Sequence, residues 1–355
     1  MKKSMQKPIQ IDVVTLGEIL LRLKSPGHEK LLQSPSLEAT FGGGEANVAI
    51  SLANYGLNAR FITVLPNNSI GDSSIQFLRS MNVDTTQIVR KGNRIGIYFL
   101  ETGSGPRPSK IIYDRAHSAI FQADITDFNW EECFAEAKWF HITGITPALS
   151  EKSAELSLFT VKKAKELGLT VSCDLNFRKK LWKYGKTAPE IMNQMISYVD
   201  VVIANEEDIQ KSLGMPSDQQ IGEVGLEISR DKYKALAQRV LDTYANVQIV
   251  AITLRESYSA DYNDWSAMCL SRENNTALFS KKYALRDIVD RVGGGDSFSG
   301  ALIYGLFEEM NLQEALEFAV AASALKHTIP GDCNRVSVEE IKSLMQGDSS
   351  GRVQR

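Results

Sequence analysis

Hydrophobic residues along the chain form short apolar runs that alternate with segments of helical periodicity. The runs predict strands at residues 12–16, 60–65, 139–143, 169–174, 201–204 and 249–254. The helical pattern predicts helices at residues 46–55, 73–81, 151–167, 189–198 and 297–307. Strands that alternate with helices are typical of βαβ units on a parallel sheet. We therefore predict an α/β fold with a mostly parallel central sheet flanked by helices.

Two segments interrupt this alternation. Residues 19–41 follow the first predicted strand without a helical pattern, and residues 95–119 hold two apolar runs around a Gly/Pro-rich turn at residues 103–108. The second segment is typical of a β-hairpin. We interpret both as β-excursions that form a small lid on one α/β domain, residues 11–346, rather than a second sequential domain. Residues 1–10 and 347–355 are predicted to be flexible tails.

Composition narrows the class of protein. Of the 355 residues, 43% are hydrophobic and 23% are charged, which is ordinary for a globular chain. A formal net charge of -3 without a basic stripe argues against a nucleic-acid partner. No apolar run has the length of a membrane span, and the basic N-terminus lacks the apolar core of a signal peptide. The four scattered cysteines form no CxxC motif, so we expect reduced thiols, a cytoplasmic location and no membrane partner.

Segment 290–300 carries the clearest chemical signal. Three consecutive glycines at residues 293–295 lead directly into a predicted helix. Glycines let backbone N–H groups converge at a helix N-terminus, where they suit a phosphoryl group in transfer. Asp296 would be repelled by a phosphate unless it accepts the proton of an attacking hydroxyl. On spacing alone, Asp296 is equally well a plain helix N-cap, and Asp290 could hold a second hydroxyl of the same substrate.

A second glycine cluster, residues 42–44, precedes another predicted helix. It can bring the backbone of Gly43 and Gly44 close to a polyhydroxy ligand, with Asn47 donating to a hydroxyl. An ordinary strand-to-helix turn explains the same cluster. No GxxxxGK[ST] P-loop occurs, and no G-x-G-x-x-G follows the first strand, so neither common nucleotide-binding fingerprint is present.

Taken together, the two clusters resemble the signatures of the ribokinase-like (PfkB) family of sugar kinases. The matching positions are Gly42, Gly43, Asn47 and Ala49 in the first cluster and Asp290, Gly293, Gly295, Asp296, Ser297 and Phe298 in the second. The resemblance covers residues 11–346. It implies a Rossmann-like α/β fold with a β-lid, ATP with Mg²⁺, and phosphorylation of a sugar hydroxyl. By position it implies Asp296 as the catalytic base, with an anion hole formed by Gly293, Gly294 and Gly295.

Within that family the chain is most similar to kinases of the sugar acid 2-keto-3-deoxygluconate. The segments that carry this similarity are residues 17–18, 113–116, 174–178 and 181–182. A substrate carboxylate needs a cation, and arginine offers bidentate geometry. The similarity therefore implies substrate contacts by Tyr98, Tyr113, Arg115, Asn176 and Arg178. Surface solvation or a structural ion pair is the alternative for each arginine, and lid packing is the alternative for Tyr98.

Three departures from the family pattern bear on the phosphate side. Gly294 replaces the common alanine, which keeps the backbone donors. The Asn-x-x-Glu motif ends in aspartate, so the resemblance implies Asn205 for the nucleotide and Glu206 with Asp208 for the metal, through water. The loop at residues 253–257 lacks the usual glycine. Thr253 and Arg255 are predicted to bind the nucleotide there, with Arg255 on a phosphate.

We therefore expect transfer of a phosphoryl group from ATP to the terminal hydroxyl of 2-keto-3-deoxygluconate, with 2-keto-3-deoxy-6-phosphogluconate as the product. Another sugar kinase of the family, such as a fructokinase, is the nearest alternative, and a non-catalytic sugar-binding protein is a more distant one. Exposed lid strands favour a homodimer through the lid. The four histidines lack the spacing of metal ligands.

Overall fold

Strands and helices alternate along most of the chain, as the apolar pattern predicts. The structure, a computed structural model, describes residues 10–216 and 230–347. Within these residues the strands are β1 (Val13–Leu16), β2 (Leu20–Lys24), β3 (Glu38–Gly42), β4 (Ala59–Ile62), β5 (Val64–Leu65), β6 (Val89–Arg90), β7 (Gly96–Glu101), β8 (Lys110–Asp114), β9 (Trp139–Thr143), β10 (Thr170–Asp174), β11 (Val201–Ala204), β12 (Ile249–Ser257), β13 (Asn263–Ser271), β14 (Ala277–Phe279) and β15 (Tyr283–Leu285). The α-helices are α1 (Gly44–Asn54), α2 (Ser69–Ser80), α3 (Trp130–Cys133), α4 (Glu151–Glu166), α5 (Ala188–Ile196), α6 (Glu206–Leu213), α7 (Arg230–Thr243), α8 (Gly294–Phe307), α9 (Leu312–Lys326) and α10 (Val338–Met345).

In the part of the chain that the structure describes, the large central sheet has nine strands in the order β14-β13-β12-β11-β10-β9-β1-β4, with β15 also paired to β13. Strands β4, β1, β9, β10, β11 and β12 run parallel, and β13 to β15 add antiparallel pairs at one side. Strands β1, β4, β9 and β11 are buried along their whole length. Such burial is expected for parallel strands covered on both faces. The predicted fold class is confirmed.

A separate four-stranded sheet, which we call the small sheet, has the order β3-β2-β7-β8. Both predicted β-excursions supply it. Residues 19–41 contribute β2 and β3, and β7 with β8 forms the predicted hairpin, in which Tyr98 lies opposite Tyr113. Strands β2 and β7 run parallel, and Arg22 lies opposite Tyr98 in their register.

The tip of the β7–β8 hairpin contacts the turn between β12 and β13. The Gly105 N–H donates to Asp261 Oδ2 at 3.1 Å, and the Ala260 N–H donates to the Gly105 carbonyl at 2.8 Å. The small sheet therefore touches the central part of the fold at a point distant in sequence from where its strands begin.

Apolar side chains pack on both faces of the central sheet. Val14 and Leu16 belong to one cluster and Val13 to the other, because successive residues of a strand point to opposite faces. Helices α1, α8 and α9 contribute to the second cluster. The N-termini of α1 and α8 lie side by side, since a Cβ built on Gly44 would be 3.7 Å from Asp296 Oδ1.

Most predicted element boundaries agree with the structure to within a few residues. The single strand predicted at residues 60–65 is wrong, because the chain leaves the central sheet after β4 and β5 pairs instead with β6. The predicted flexibility of residues 1–9 and 348–355 falls outside the described residues. All four cysteines are free and buried. Across residues 10–216 and 230–347, no helix is both long and apolar enough to cross a membrane.

Candidate active site

A cavity of about 710 Å³ is lined by the small sheet and by the carboxyl ends of the central strands. All the site residues predicted from the sequence line it, with the exception of Gly294. Those residues are Gly43, Gly44, Asn47, Tyr98, Tyr113, Arg115, Asn176, Arg178, Asn205, Glu206, Asp208, Thr253, Arg255, Asp290, Gly293, Gly295 and Asp296. The fold thus brings residues from both ends of the chain to one place, while their individual roles stay predictions.

The turn before α8 depends on its glycines. Gly293 has a φ of 81°, in the left-handed region that favours glycine, and a Cβ there would lie 1.8 Å from the Asp332 carbonyl oxygen. A Cβ on Gly294 would lie 2.5 Å from the His327 ring, which accounts for glycine in place of the common alanine. A Cβ on Gly295 would meet nothing within 4 Å, so Gly295 borders open space in the cavity. The Gly294 N–H donates to the Arg291 carbonyl at 3.4 Å, whereas the next N–H groups of this first turn suit an anion.

Asp296 lies in the first turn of α8 and is partly buried. Its Oδ2 accepts a hydrogen bond from Asn47 Nδ2 at 2.7 Å. Burial raises the pKa of Asp296 to about 6, even though the Asn47 hydrogen bond acts in the opposite direction. The N-cap alternative does not hold, because Gly293 is the N-cap residue and no side chain caps this helix. A carboxyl whose pKa lies just below neutrality is suited to accept a proton.

The start of α1 holds a buried carboxyl that the sequence analysis missed. Glu45 is 2% exposed, and its Oε1 accepts from the Thr143 N–H at 3.0 Å, Thr143 Oγ1 at 2.8 Å and Thr146 Oγ1 at 2.7 Å. Burial raises its pKa to about 7. Because Glu45 is held against β9, the neighbouring Asn47 is fixed where it can reach Asp296.

Tyr98 belongs to a buried network with two residues that the sequence analysis also missed. Its hydroxyl lies 2.7 Å and 2.6 Å from the two carboxyl oxygens of Asp332, and it donates to that carboxyl. Arg22 forms ion pairs with both Asp290 and Asp332. Asp290 is thereby engaged by an arginine of the small sheet, and its predicted contact with a substrate hydroxyl stays a prediction.

Arg115 is engaged by Glu18. Arg115 Nε donates to Glu18 Oε2 at 2.7 Å, and Ser118 Oγ donates to Glu18 Oε1 at 2.6 Å. The Arg115 guanidinium also lies 5.3 Å from the centroid of the Tyr113 ring. A structural ion pair is therefore present, and Glu18 offsets the charge that Arg115 would present to a substrate carboxylate.

Arg178 and Arg255 are exposed at the cavity wall and differ from Arg115 in their partners. Arg178 donates to the carbonyl of Phe177 at 3.3 Å. Among residues 10–216 and 230–347, no carboxylate lies within ion-pair distance of either guanidinium. Two cations without a carboxylate partner, on the wall of one cavity, suit an anionic ligand.

Carboxyl groups gather where β10 and β11 end. Burial raises the pKa of Asp174 well above its usual value, and the charges of Asp208 and Asp296 add to the rise. Burial likewise raises the pKa of Asp208 to about 6. In the part of the chain that the structure describes, no group of three or more His, Cys, Asp or Glu side chains could hold a metal ion. Mg²⁺ bound by one or two carboxylates together with nucleotide phosphates fits this donor set.

The remaining predicted residues have defined local contacts. Asn205 and Asp208 form a capping box at the start of α6. Asn176 has a φ of 37°, and its side-chain amide donates to Asp174 Oδ2 at 3.4 Å. Thr253 Oγ1 donates to the Ala204 carbonyl at 3.4 Å. These contacts hold the ends of β10, β11 and β12 in fixed positions around the cavity.

Comparisons with known proteins agree with the family resemblance and with the fold. The profile of the family described as pfkB family carbohydrate kinase matches residues 10–338. The 2-dehydro-3-deoxygalactonokinase of Haloferax volcanii is 30% identical over 347 residues, which cover 96% of this chain and 98% of that protein. A crystal structure of 2-dehydro-3-deoxygluconokinase from Thermotoga maritima has a TM-score of 0.88 and 49% identity, covering 95% of this chain and 100% of that one. A fructokinase from Xylella fastidiosa with bound ATP has a TM-score of 0.78 at 20% identity, covering 96% and 100% of the two chains.

Proposed function

The chain belongs to the PfkB family of carbohydrate kinases, and from that premise we propose that it phosphorylates 2-keto-3-deoxygluconate with ATP. This sugar acid, also called 2-dehydro-3-deoxygluconate, would receive the phosphoryl group on its terminal hydroxyl. The observation that carries the proposal is the position of Asp296, at the glycine turn of α8 and in the same cavity as two arginines without carboxylate partners. The Thermotoga maritima structure, at 49% identity, supports the choice of sugar acid.

Asp296 is the proposed general base. It takes the proton of the terminal hydroxyl while that oxygen forms a bond to the γ-phosphorus of ATP and the bond from this phosphorus to ADP breaks. With a pKa of about 6, Asp296 is mostly ionised at neutral pH. The backbone N–H groups of Gly293, Gly294 and Gly295 stabilise the charge on the transferring group.

Arg178 is the proposed partner of the substrate carboxylate, because no carboxylate of the described residues lies within ion-pair distance of it, although the charges of Asp174, Asp208 and Asp296 act on it from further away. Tyr98, Tyr113 and Arg115 form the wall on the side of the small sheet. The Glu18 ion pair makes Arg115 a weaker anion site than Arg178. Asn47, Asn176 and Asp290, with the backbone of Gly43 and Gly44, are proposed to face the hydroxyl groups.

ATP is the proposed donor, a choice supported by the ATP-bound fructokinase of the same fold. Asn205, Thr253 and Arg255 would bind the nucleotide, with Arg255 on a phosphate. Mg²⁺, when bound, neutralises phosphate charge in such reactions. Glu206 and Asp208 would hold it through water.

The small sheet is proposed to act as a lid on a single domain that comprises residues 11–346. Its hairpin tip already bonds to the turn between β12 and β13, and a closed lid would keep water from the phosphoryl group. The outer strand β8 leaves Ile112 55% exposed, on the face opposite the one where Tyr113 lines the cavity. This surface supports the prediction of a homodimer through the lid.

A substrate panel with a coupled ADP readout tests the substrate. We expect the highest kcat/KM for 2-keto-3-deoxygluconate, a lower value for its galactonate epimer, and little activity on fructose. Arg178→Ala should raise KM for the sugar acid about 10- to 100-fold, as loss of a charged hydrogen bond does. Lys179→Ala, at the exposed neighbouring residue, is the matched control and should behave like wild type. Fructose as the best substrate would contradict the proposal, and the galactonate epimer as the best would correct its stereochemistry.

Asp296→Asn tests the base. We expect kcat to fall by about 10² to 10⁴, the usual contribution of a positioned base. Stabilisation of the protein by the sugar acid, measured as a shift in Tm, should persist. Turnover close to wild type in this variant would refute the assignment of Asp296.

A further inference from the structure

We propose that Arg22 is a positioning residue that anchors the small sheet to the turn before α8 and neutralises the carboxyl groups beneath that turn. The inference rests on the proposed function in one respect, which is that phosphoryl transfer takes place at residues 293–296. Arg22 lies in the middle of β2, is 1% exposed and does not line the cavity. Its effect on catalysis would therefore be exerted through other residues.

Arg22 and Tyr98 are neighbours on two adjacent strands of the small sheet. They lie opposite each other in the register of β2 and β7. Both bind the carboxyl group of Asp332, and Arg22 also binds that of Asp290. Two adjacent strands of the small sheet are thus fastened to the same point of the central fold.

The two aspartates that Arg22 binds also shape the glycine turn, Asp290 through its carboxyl group and Asp332 through its backbone. Asp290 Oδ1 accepts from the Val292 N–H at 3.1 Å, and Asp290 Oδ2 accepts from the Gly331 N–H at 3.0 Å. The carbonyl of Asp332 packs where a side chain of Gly293 would lie. A shift of the Asp290 carboxyl group or of the Asp332 backbone would therefore displace the backbone donors that precede Asp296.

The buried charges beneath this turn balance one another. Lys326 is fully buried, and its Nζ donates to the Asp290 carbonyl oxygen at 3.2 Å. Arg22 and Lys326 supply two positive charges, against the two carboxylates of Asp290 and Asp332. Loss of Arg22 would leave one buried negative charge uncompensated, close to where negative charge develops on the phosphoryl group.

The kinetic test compares Arg22→Gln, Arg22→Lys and Lys24→Gln. Lys24 lies two residues along the same strand in an ion pair with Glu38 at 3.0 Å, which makes Lys24→Gln the matched control. On the best sugar substrate of the wild type, we expect kcat/KM to fall about 100-fold in Arg22→Gln, as misplacement of a reacting group does. Arg22→Lys keeps the charge but cannot bind both carboxyl groups as a fork. Its kcat/KM should lie between those of wild type and Arg22→Gln. Lys24→Gln should stay near wild type.

A double variant that restores the balance of buried charge tests whether Arg22 acts by neutralising the carboxyl groups or only by packing. Arg22→Gln with Asp332→Asn removes one charge of each sign, and it should be more active than Arg22→Gln alone. If the double variant loses as much kcat/KM as the losses of the two single variants combined, the charge argument is wrong. A folded Arg22→Gln protein with kcat/KM within about threefold of wild type would overturn the whole proposal.

Hydrogen exchange tests the anchor without any substrate. The amides of β2 and β7 should exchange about tenfold or more faster in Arg22→Gln than in wild type, because a buried ion pair is broken. Lys24→Gln should leave them protected. Unchanged exchange in a folded Arg22→Gln protein would refute the anchor. Since this measurement needs no sugar, it stays decisive even if the substrate panel rejects 2-keto-3-deoxygluconate.

Discussion

Replacing Asn47 with leucine should move the pH at which the enzyme becomes active. Asn47 donates to Asp296 Oδ2 at 2.7 Å, and this hydrogen bond opposes the rise in pKa that burial causes. Leucine has no donor, so the carboxylate form of Asp296 would lose its partner while burial persists. The pKa of Asp296 must then rise further.

The size of the shift follows from the type of bond. A hydrogen bond to a charged group contributes about 1.5–3 kcal/mol, and one pKa unit corresponds to about 1.4 kcal/mol. The pKa of Asp296 should therefore rise from about 6 to about 7–8. At pH 7 the ionised fraction would fall from about nine-tenths to between about one-half and one-tenth.

The assay is the pH profile of kcat/KM between about pH 5 and pH 9. The acid limb should have its midpoint near the pKa of Asp296 in wild type and about 1–2 units higher in Asn47→Leu, with activity recovering at the alkaline end. Ser51→Ala, one turn along α1, removes a hydroxyl bonded to the Asn47 carbonyl and is the control. If Asn47 serves only to bind a sugar hydroxyl, KM will rise equally at every pH. An unmoved acid limb in a folded, active Asn47→Leu protein would refute the coupling to Asp296.

Two further experiments test residues around the cavity. Burial raises the pKa of Glu45 from 4.5 to about 7, so the folded state holds a proton that the unfolded state releases. The free energy of unfolding should therefore be greatest below pH 4.5 and fall by about 3 kcal/mol as the pH rises to about 7. Glu45→Gln should flatten that slope in urea unfolding at about pH 5 and about pH 8, and an unchanged slope would contradict the assignment. Gly294→Ala should destabilise the protein by about 1–3 kcal/mol, because its Cβ would meet the His327 ring. Gly295→Ala, with open space at its Cβ, should retain stability but lose kcat/KM, and equal Tm losses in both variants would contradict this distinction.

The sequence predicted those parts of the site whose chemistry requires a recognisable pattern of neighbouring residues. Three glycines before an apolar helix can be recognised because Gly293 needs a left-handed φ and Gly294 must avoid a neighbouring ring. The alternation of apolar runs and helical patterns likewise revealed the parallel strands, since these are buried on both faces.

Other features have no recognisable pattern in the sequence around them. Arg22 stands between leucines in β2, a pattern typical of a strand with one exposed face, yet its partners Asp290 and Asp332 bury it. Glu45 reads as an ordinary acidic residue in the first turn of a helix. Strand β13 carries polar residues at both of its ends, but it is buried throughout because β12, β14, β15 and α9 surround it. For Arg22 and Glu45 the burial comes from residues far away in the sequence, Asp290 and Asp332 in the first case and Thr143 and Thr146 in the second.

The ion pair between Arg22 and Asp332 joins residues 310 positions apart. At the usual pace of synthesis, about 5–20 residues per second, the ribosome needs about 15–60 seconds to add Asp332 after Arg22. Asp290 is added 268 residues after Arg22, so for most of that interval Arg22 has neither of its carboxylate partners. Burying an unpaired cation is unfavourable. Strands β2 and β3 would therefore not dock against the rest of the fold while the chain is being synthesised, and their edges would be exposed to chaperones. The enzyme would become competent to bind its substrate only when almost the whole polypeptide has been made.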